Sequence, residues 1–404
     1  MDQKATLEKK LEEISAILKD ESQKNEHLGV LAGISGIALF NFYYSKYLDV
    51  DTYADIGVDL LNESVNRINE GYQYPTYCTG IAGAAWVFDH LVEEDFMDSE
   101  NDELLAELDE FLYAMMESDM STGNYDFLHA AIGYAFYFLK RFRNTKDDTL
   151  KEKYRQYLLN MLAMLEKTAQ KDENGLKWES TLDIEKGTRG YNLSLSHGMS
   201  SIVIFLSKLH DFPDFREKAA PLLKGALDYI LSKELTAPDR TVYFPSWITE
   251  PAREEQGSRL AWCYGDLGPG LALWRASKTL NDKVMAQKAL EIFRHSAERT
   301  QPDDTGARDA GLCHGSYGNA QIFNRLYKET GEDIFKKAAN FWIDSGIAMA
   351  VHPDGFAGYK QWHGMDKDWR PENNLLEGIA GIGLSIIDHL ADFDTHWDEC
   401  LMIS

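Results

Sequence analysis

Four cysteines in 404 residues (Cys78, Cys263, Cys313 and Cys400) are too few to staple a chain of this length. A disulfide scaffold is excluded, and thiols this sparse fit a reducing compartment, where they serve as metal ligands or catalytic groups. Long apolar runs are also missing. None reaches the roughly 18 residues that a membrane span needs, so no span is expected. The N-terminus, Met-Asp-Gln-Lys-Ala-Thr-Leu-Glu, has no basic stretch leading into an apolar one. No signal peptide is therefore expected, and the cytoplasm is the expected location. Positive charge is in short supply, with 41 Lys and Arg against 66 Asp and Glu for a formal net charge of −25. That balance repels a phosphate backbone and excludes general nucleic-acid binding, while leaving room for a basic peptide partner. Prolines number only ten, and no low-complexity linker divides the chain, so residues 1–404 are expected to form a single domain. At 44% apolar and 26% charged, the composition is that of a globular protein able to bury a large core.

What the chain does have is patterned glycine. A Gly-x-x-Gly step followed at once by an apolar helical run occurs as Gly33-Ile-Ser-Gly36, Gly80-Ile-Ala-Gly83, Gly265-Asp-Leu-Gly268, Gly315-Ser-Tyr-Gly318 and Gly378-Ile-Ala-Gly381. Ala130-Ala-Ile-Gly133 and Gly198-Met-Ser-Ser201 are altered copies, which makes seven. A spacing of roughly 50–70 residues fits two helices and their connections. Between the steps lie amphipathic segments such as 101–116 and 151–168. The pattern predicts an all-α closed ring of helical hairpins, with glycine-started inner helices and amphipathic outer ones. Closure is preferred to an open solenoid because both ends carry full copies without a polar capping repeat. The small residues are expected to let the inner helices begin close together. Residues 171–196 and 237–257 break the helical pattern. The second of these holds Pro238, Pro245, Pro251 and the β-prone run Thr241-Val-Tyr-Phe244. Both are predicted as loops or hairpins feeding the fourth and fifth copies. Residues 1–26 read as a charged, amphipathic leading helix.

Chemistry gathers in one register of the repeat. One residue before each step stand Ala32, Thr79, His129, His197, Tyr264, His314 and Glu377. Two before stand Leu31, Cys78, Leu128, Ser196, Cys263, Cys313 and Leu376. Cys263, Cys313 and His314 are the ligand set of a zinc site whose fourth position is open, the form a catalytic zinc takes. The 50 residues between the two cysteines are one repeat, so adjacent hairpins can bring both to one metal. Helix N-termini also favour thiolates. The residues alone leave a second reading open, in which the cysteines are small buried hydrophobes and His314 a hydrogen-bonded rim residue. His197 is an acid/base candidate or a structural histidine. Asp126, four residues before its step, is a pocket carboxylate or a plain helix cap. Arg259, four before Cys263, is a candidate to hold an anion or an enolate. Cys78 reads as a buried thiol beside the site, His129 and Glu377 as pocket residues, and His363 as a candidate at the mouth. Cys400 has no evident role.

Trp262-Cys-Tyr-Gly-Asp266, Cys313-His-Gly315 and Ser196-His-Gly198, together with seven glycine-started helices, resemble the lanthionine synthetase C-like family of lantibiotic cyclases over nearly the whole chain. The resemblance implies an α/α toroid of seven inner and seven outer helices around a central Zn²⁺ held by Cys263, Cys313 and His314. It implies His197 as the acid/base, Asp126 as the active-site carboxylate, and Arg259 and Tyr264 as further active-site residues. The implied activity is zinc-dependent addition of a peptide cysteine thiol to dehydroalanine or dehydrobutyrine, closing thioether rings in a lantibiotic-like precursor. The implied substrate is a dehydrated precursor peptide, with dehydration and export left to separate proteins. Ala130 and Ser201 depart from the glycine pattern, which bears on packing more than on chemistry. Two rivals stay open: addition of glutathione to dehydroamino acids by the same residues, and a non-catalytic peptide-binding ring. A glycosidase would need two carboxylates across the cavity, and the register offers Glu377 alone, with Asp126 outside it.

Overall fold

All seven glycine steps lie at helix starts in the computed structural model, which describes residues 3–98, 102–183, 186–237, 240–249 and 258–404. The helices are α1 (Gln3–Glu21), α2 (Ile34–Leu48), α3 (Thr52–Asn69), α4 (Ile81–Glu93), α5 (Asp102–Ser121), α6 (Ala131–Asn144), α7 (Asp148–Thr168), α8 (Met199–His210), α9 (Pro213–Ser232), α10 (Leu267–Leu280), α11 (Lys283–Glu298), α12 (Pro302–Thr305), α13 (Ser316–Thr330), α14 (Asp333–Ala348) and α15 (Ile379–Leu390). Short strands are β1 (Gln170–Asp172), β2 (Gly175–Lys177), β3 (Ser180–Asp183), β4 (Thr188–Asn192), β5 (Trp247–Ile248), β6 (Gln361–His363) and β7 (Asp368–Arg370). Seven inner helices (α2, α4, α6, α8, α10, α13, α15) begin at the steps. The amphipathic helices α1, α3, α5, α7, α9, α11 and α14 are the outer set. No described helix is long and apolar enough to cross a membrane.

The two glycines of a step have different jobs. Gly33, Gly80, Gly198, Gly315 and Gly378 occupy the extended position directly before the first helical residue. The second glycine admits a close approach. A Cβ on Gly83, Gly318 or Gly381 would lie 1.8–1.9 Å from the carbonyl oxygen of the residue six earlier, respectively Tyr77, Leu312 and Leu375. The nearest obstacle is thus the helix's own preceding loop folding back on the first turn, rather than a neighbouring helix. Ser201 replaces that glycine in the fourth copy, and its hydroxyl donates to the Gly198 carbonyl at 2.8 Å. The fifth copy is offset by one. α10 starts after Asp266, and Gly265 has φ +106°, with a Cβ there falling 1.9 Å from the Arg259 carbonyl oxygen.

The helices gather into two compact units, Met1–Asn101 with Gly306–Ser404, and Asp102–Thr305. In the first, loops of successive copies are joined by backbone hydrogen bonds. The Leu312 and Cys313 N–H groups donate to the Leu376 carbonyl, Leu376 N–H donates to Leu31, and Leu31 and Ala32 donate to Cys78, at 2.8–3.2 Å. The order is sixth copy, seventh, first, second, so the last repeat pairs with the first. α15 packs on α2, and α1 lies against α15, burying Leu7, Leu11, Ile14 and Leu18. β6 and β7 form an antiparallel hairpin.

In the second unit, α6 packs on α8 and α8 on α10. The Ser196 hydroxyl donates to the Cys263 carbonyl at 3.2 Å, joining the fourth and fifth copies. The hairpin β1–β2 packs on α9, and β3, β4 and β5 form a three-stranded antiparallel sheet. The predicted break at 171–196 is therefore a pair of hairpins. Of 237–257, Pro238, Pro251 and Gly257 lie outside the described residues. The run Thr241–Phe244 is not a strand. The buried Asp266 carboxylate accepts the Tyr243 and Phe244 N–H groups at 2.9–3.0 Å, and a strand partner would need those donors.

Candidate active site and metal-ligand positions

The loops before α6 and α8 bring two polar side chains together. His197 Nδ1 stands 2.6 Å from Asp126 Oδ2, while Asp126 Oδ1 accepts the His129 N–H at 2.8 Å. One carboxylate thereby caps its own helix approach and orients the ring of the next copy. Burial would raise the Asp126 pKa, but the charge and hydrogen bond of His197, with His129, hold it below the usual carboxylate range. Burial would lower His197, yet the Asp126 charge and hydrogen bond, with a smaller contribution from Cys263, raise it above the usual imidazole value. His129 lies ring to ring with His197, centroids 5.9 Å apart and planes at 20°. Its pKa is lowered by the surrounding protein and by His197, which together outweigh Asp126. Two neighbouring imidazoles are thus pushed in opposite directions, a pattern that separates acid from base.

A cavity of about 620 Å³ opens over these residues. Asp126, His129, His197 and Tyr264 line it, with Arg189, Asn192 and Trp247 from the sheet. The Tyr264 ring is 6.1 Å from that of His197 and meets Trp247 edge-on at 5.9 Å, while Asn192 Nδ2 donates to the Tyr264 hydroxyl at 3.4 Å. Cys263, next to Tyr264, is buried.

In the other unit, Cys313 and His314 directly precede α13. His314 Nε2 is 3.2 Å from Asp309 Oδ2. Asp309 is 2% exposed, and it also accepts the Gly311 N–H at 3.0 Å and the Trp362 N–H at 3.1 Å. Burial would raise its pKa, but His314 and the two N–H groups lower it overall. Glu377 behaves oppositely: burial raises it despite Gln361 and His314. His363 sits 3.6 Å from Glu372.

Of the residues named from sequence, His197, Asp126, Tyr264 and His129 converge in the second unit. Arg259 is exposed and does not line the cavity. Cys78 and Cys400 are buried. Sequence reasoning missed Asp309, Arg189, Asn192 and Trp247. Asp309 lies outside the register shared by the other polar residues. The remaining three sit in hairpins whose pairing the repeat does not encode.

Inner helices started at glycine steps, amphipathic outer helices and a last repeat paired with the first define an all-α, α/α-toroid protein. Residues 26–402 match the model of the lanthionine synthetase C-like protein family, and the chain belongs to that family. Among solved structures it is similar to nisin cyclase, with a TM-score of 0.74, 19% identity, and coverage of 98% of this chain and 97% of that one. A cellobiose 2-epimerase from Bacillus thermoamylovorans gives a TM-score of 0.42 at 13% identity over 64% of this chain and 71% of its own. A curated relative is glutathione S-transferase LANCL1 of Danio rerio, 23% identical over 333 residues, covering 80% of this chain and 76% of that protein.

Proposed function

We propose that this chain is a zinc-dependent lanthionine cyclase, acting as one domain in the cytoplasm on a dehydrated precursor peptide supplied by a separate dehydratase and passed on to an exporter. The observation that carries the reading is the Asp126–His197 pair, 2.6 Å apart and facing a cavity large enough for a peptide turn. The family's fold and the similarity to nisin cyclase support it.

In this reading Cys263, Cys313 and His314 are the ligands of the metal. The donor set suits zinc: two thiols, and an imidazole whose other nitrogen faces a buried carboxylate. Bound there, zinc would deprotonate a substrate thiol near neutral pH and keep its sulfur nucleophilic. The sulfur adds to the β-carbon of dehydroalanine or dehydrobutyrine as the Cα=Cβ π bond breaks. His197, held protonated by Asp126, donates its proton to Cα of the resulting enolate. Tyr264 donates to the enolate oxygen, and Arg259, which lies outside the cavity, takes no part in this step. The thiol proton lost at the start balances the proton gained at Cα, and the product is a thioether.

The test compares wild type with Cys313→Ala by metal analysis and by mass spectrometry of a dehydrated peptide carrying one internal cysteine. Loss of both zinc and ring formation in a folded variant is the expected result. Full metal content in the variant overturns the ligand assignment. The likeness to a glutathione S-transferase favours one second reading, intermolecular addition of glutathione. A cysteine-free dehydrated peptide that gains glutathione, when the cysteine-containing one stays open, selects that reading.

A further inference from the structure

We propose that Asp309 is a positioning residue that holds His314 as the Nε2–H tautomer, so that Nδ1 is the nitrogen offered to the metal. The inference rests on the reading of His314 as a metal ligand, and it adds which nitrogen binds and what decides it.

The geometry restricts Asp309 closely. It is 2% exposed, with Oδ1 accepting the Gly311 N–H at 3.0 Å and Oδ2 accepting the Trp362 N–H at 3.1 Å. The same Oδ2 faces His314 Nε2 at 3.2 Å. Two backbone donors from different segments, the loop before α13 and strand β6, pin the carboxylate in one rotamer. Gly315 leaves the room it needs, since a Cβ there would stand 2.5 Å from Oδ1. An ionised carboxylate only accepts hydrogen bonds, so the ring nitrogen facing it must carry the proton. In a neutral imidazole the lone pair then lies on Nδ1, the form a metal requires. Because Trp362 lends its N–H to the same oxygen, the β6–β7 hairpin is tied to the orientation of the ring.

Asp309→Leu removes the acceptor while nearly keeping the volume of the side chain. A leucine offers no oxygen to Nε2–H, so the ring proton is no longer held there and the Nδ1–H form, whose ligand atom is blocked, gains population. Asp309→Asn is the conservative control, because its amide oxygen in the place of Oδ2 still accepts from the Trp362 N–H and from Nε2–H. The experiment uses the full chain with ¹⁵N-labelled histidine. In the metal-free wild type, the His314 nitrogen shifts are expected to report a proton on Nε2, and in Asp309→Leu a mixture of the two forms. Zinc affinity, measured by competition with a chromogenic chelator, is expected to fall about 10–100-fold in Asp309→Leu. Asp309→Asn is expected to retain the wild-type tautomer.

Wild-type His314 protonated on Nδ1 overturns the inference whether or not any variant folds. So does an Asp309→Leu variant that binds zinc like wild type, or one that loses zinc with its tautomer unchanged. Failure of the underlying reading looks different: His314→Ala would then bind zinc as tightly as wild type.

Discussion

Asp126→Asn removes one charge from the cavity while leaving its shape nearly intact. In the native protein His197 Nδ1 donates to a carboxylate oxygen 2.6 Å away, and both side chains are mostly screened from bulk solvent, at 31% and 20% exposure. A hydrogen bond to a charged group in such a setting contributes roughly 1.5–3 kcal/mol. Losing it destabilises the imidazolium relative to the neutral ring, which corresponds to about 10–100-fold less of the acid form once the pH is well above the variant's pKa. Thiol addition at pH 8 is therefore expected to slow by about that factor, and the alkaline limb of the pH–rate profile moves to lower pH. The stability change has its own signature. The raised His197 pKa contributes stability that is fully present below the unfolded value of about 6.5 and is lost as pH rises through the folded pKa. The lowered Asp126 pKa contributes stability that is present above about 3.9 and is lost as pH falls through the folded pKa. The wild type should accordingly exceed the variant most between about pH 4 and pH 6.5. NMR titration of the His197 ring, with urea unfolding at pH 5 and pH 9, checks both parts. An unchanged His197 titration in Asp126→Asn, or a stability difference that grows towards pH 9, refutes the reasoning.

The fold makes two further predictions. Gly318→Ala places a Cβ 1.9 Å from a backbone carbonyl oxygen and should cost about 3 kcal/mol or more, whereas Gly331→Ala, at φ +71° in open space, should cost about 1–2 kcal/mol; thermal unfolding that shows no larger loss at Gly318 counts against the close-approach role of the second glycine. Asp266→Ala leaves the Tyr243 and Phe244 N–H groups without their acceptor, at about 1–3 kcal/mol each, and a urea midpoint close to wild type would show that the carboxylate is not what holds that segment.

The helix starts were readable because their causes are local. An extended glycine before the first turn, and a carbonyl six residues back that tolerates no Cβ, are both properties of a short stretch of chain. The same logic shows why the fifth copy is offset. Gly265 spends its glycine character on a positive φ, so α10 begins one residue later than the pattern predicts. Thr241–Phe244 shows the opposite case. Its β-prone side chains were visible, but the group that captures its N–H donors, Asp266, is more than twenty positions away. Among the polar residues, His197 could be named from register and motif, and Asp126, outside the register, from its place four residues before a helix step and from the family resemblance. Their bond links positions 71 apart, and nothing in either loop announces it. Asp309 escaped notice because a residue that acts through a ligand need not share the ligand's place in the repeat.

The amino-acid sequence on its own determined the number of repeats, where each inner helix begins, and which thiols and imidazoles gather in one register, because steric limits on glycine and periodic apolar spacing act over a few residues. Only the tertiary structure decided which carboxylate each imidazole faces. His197 faces one from the preceding repeat, and Nε2 of His314 faces one pinned by a hairpin about fifty residues further along. Charge and hydrogen bonding act through space, and folding alone sets those distances.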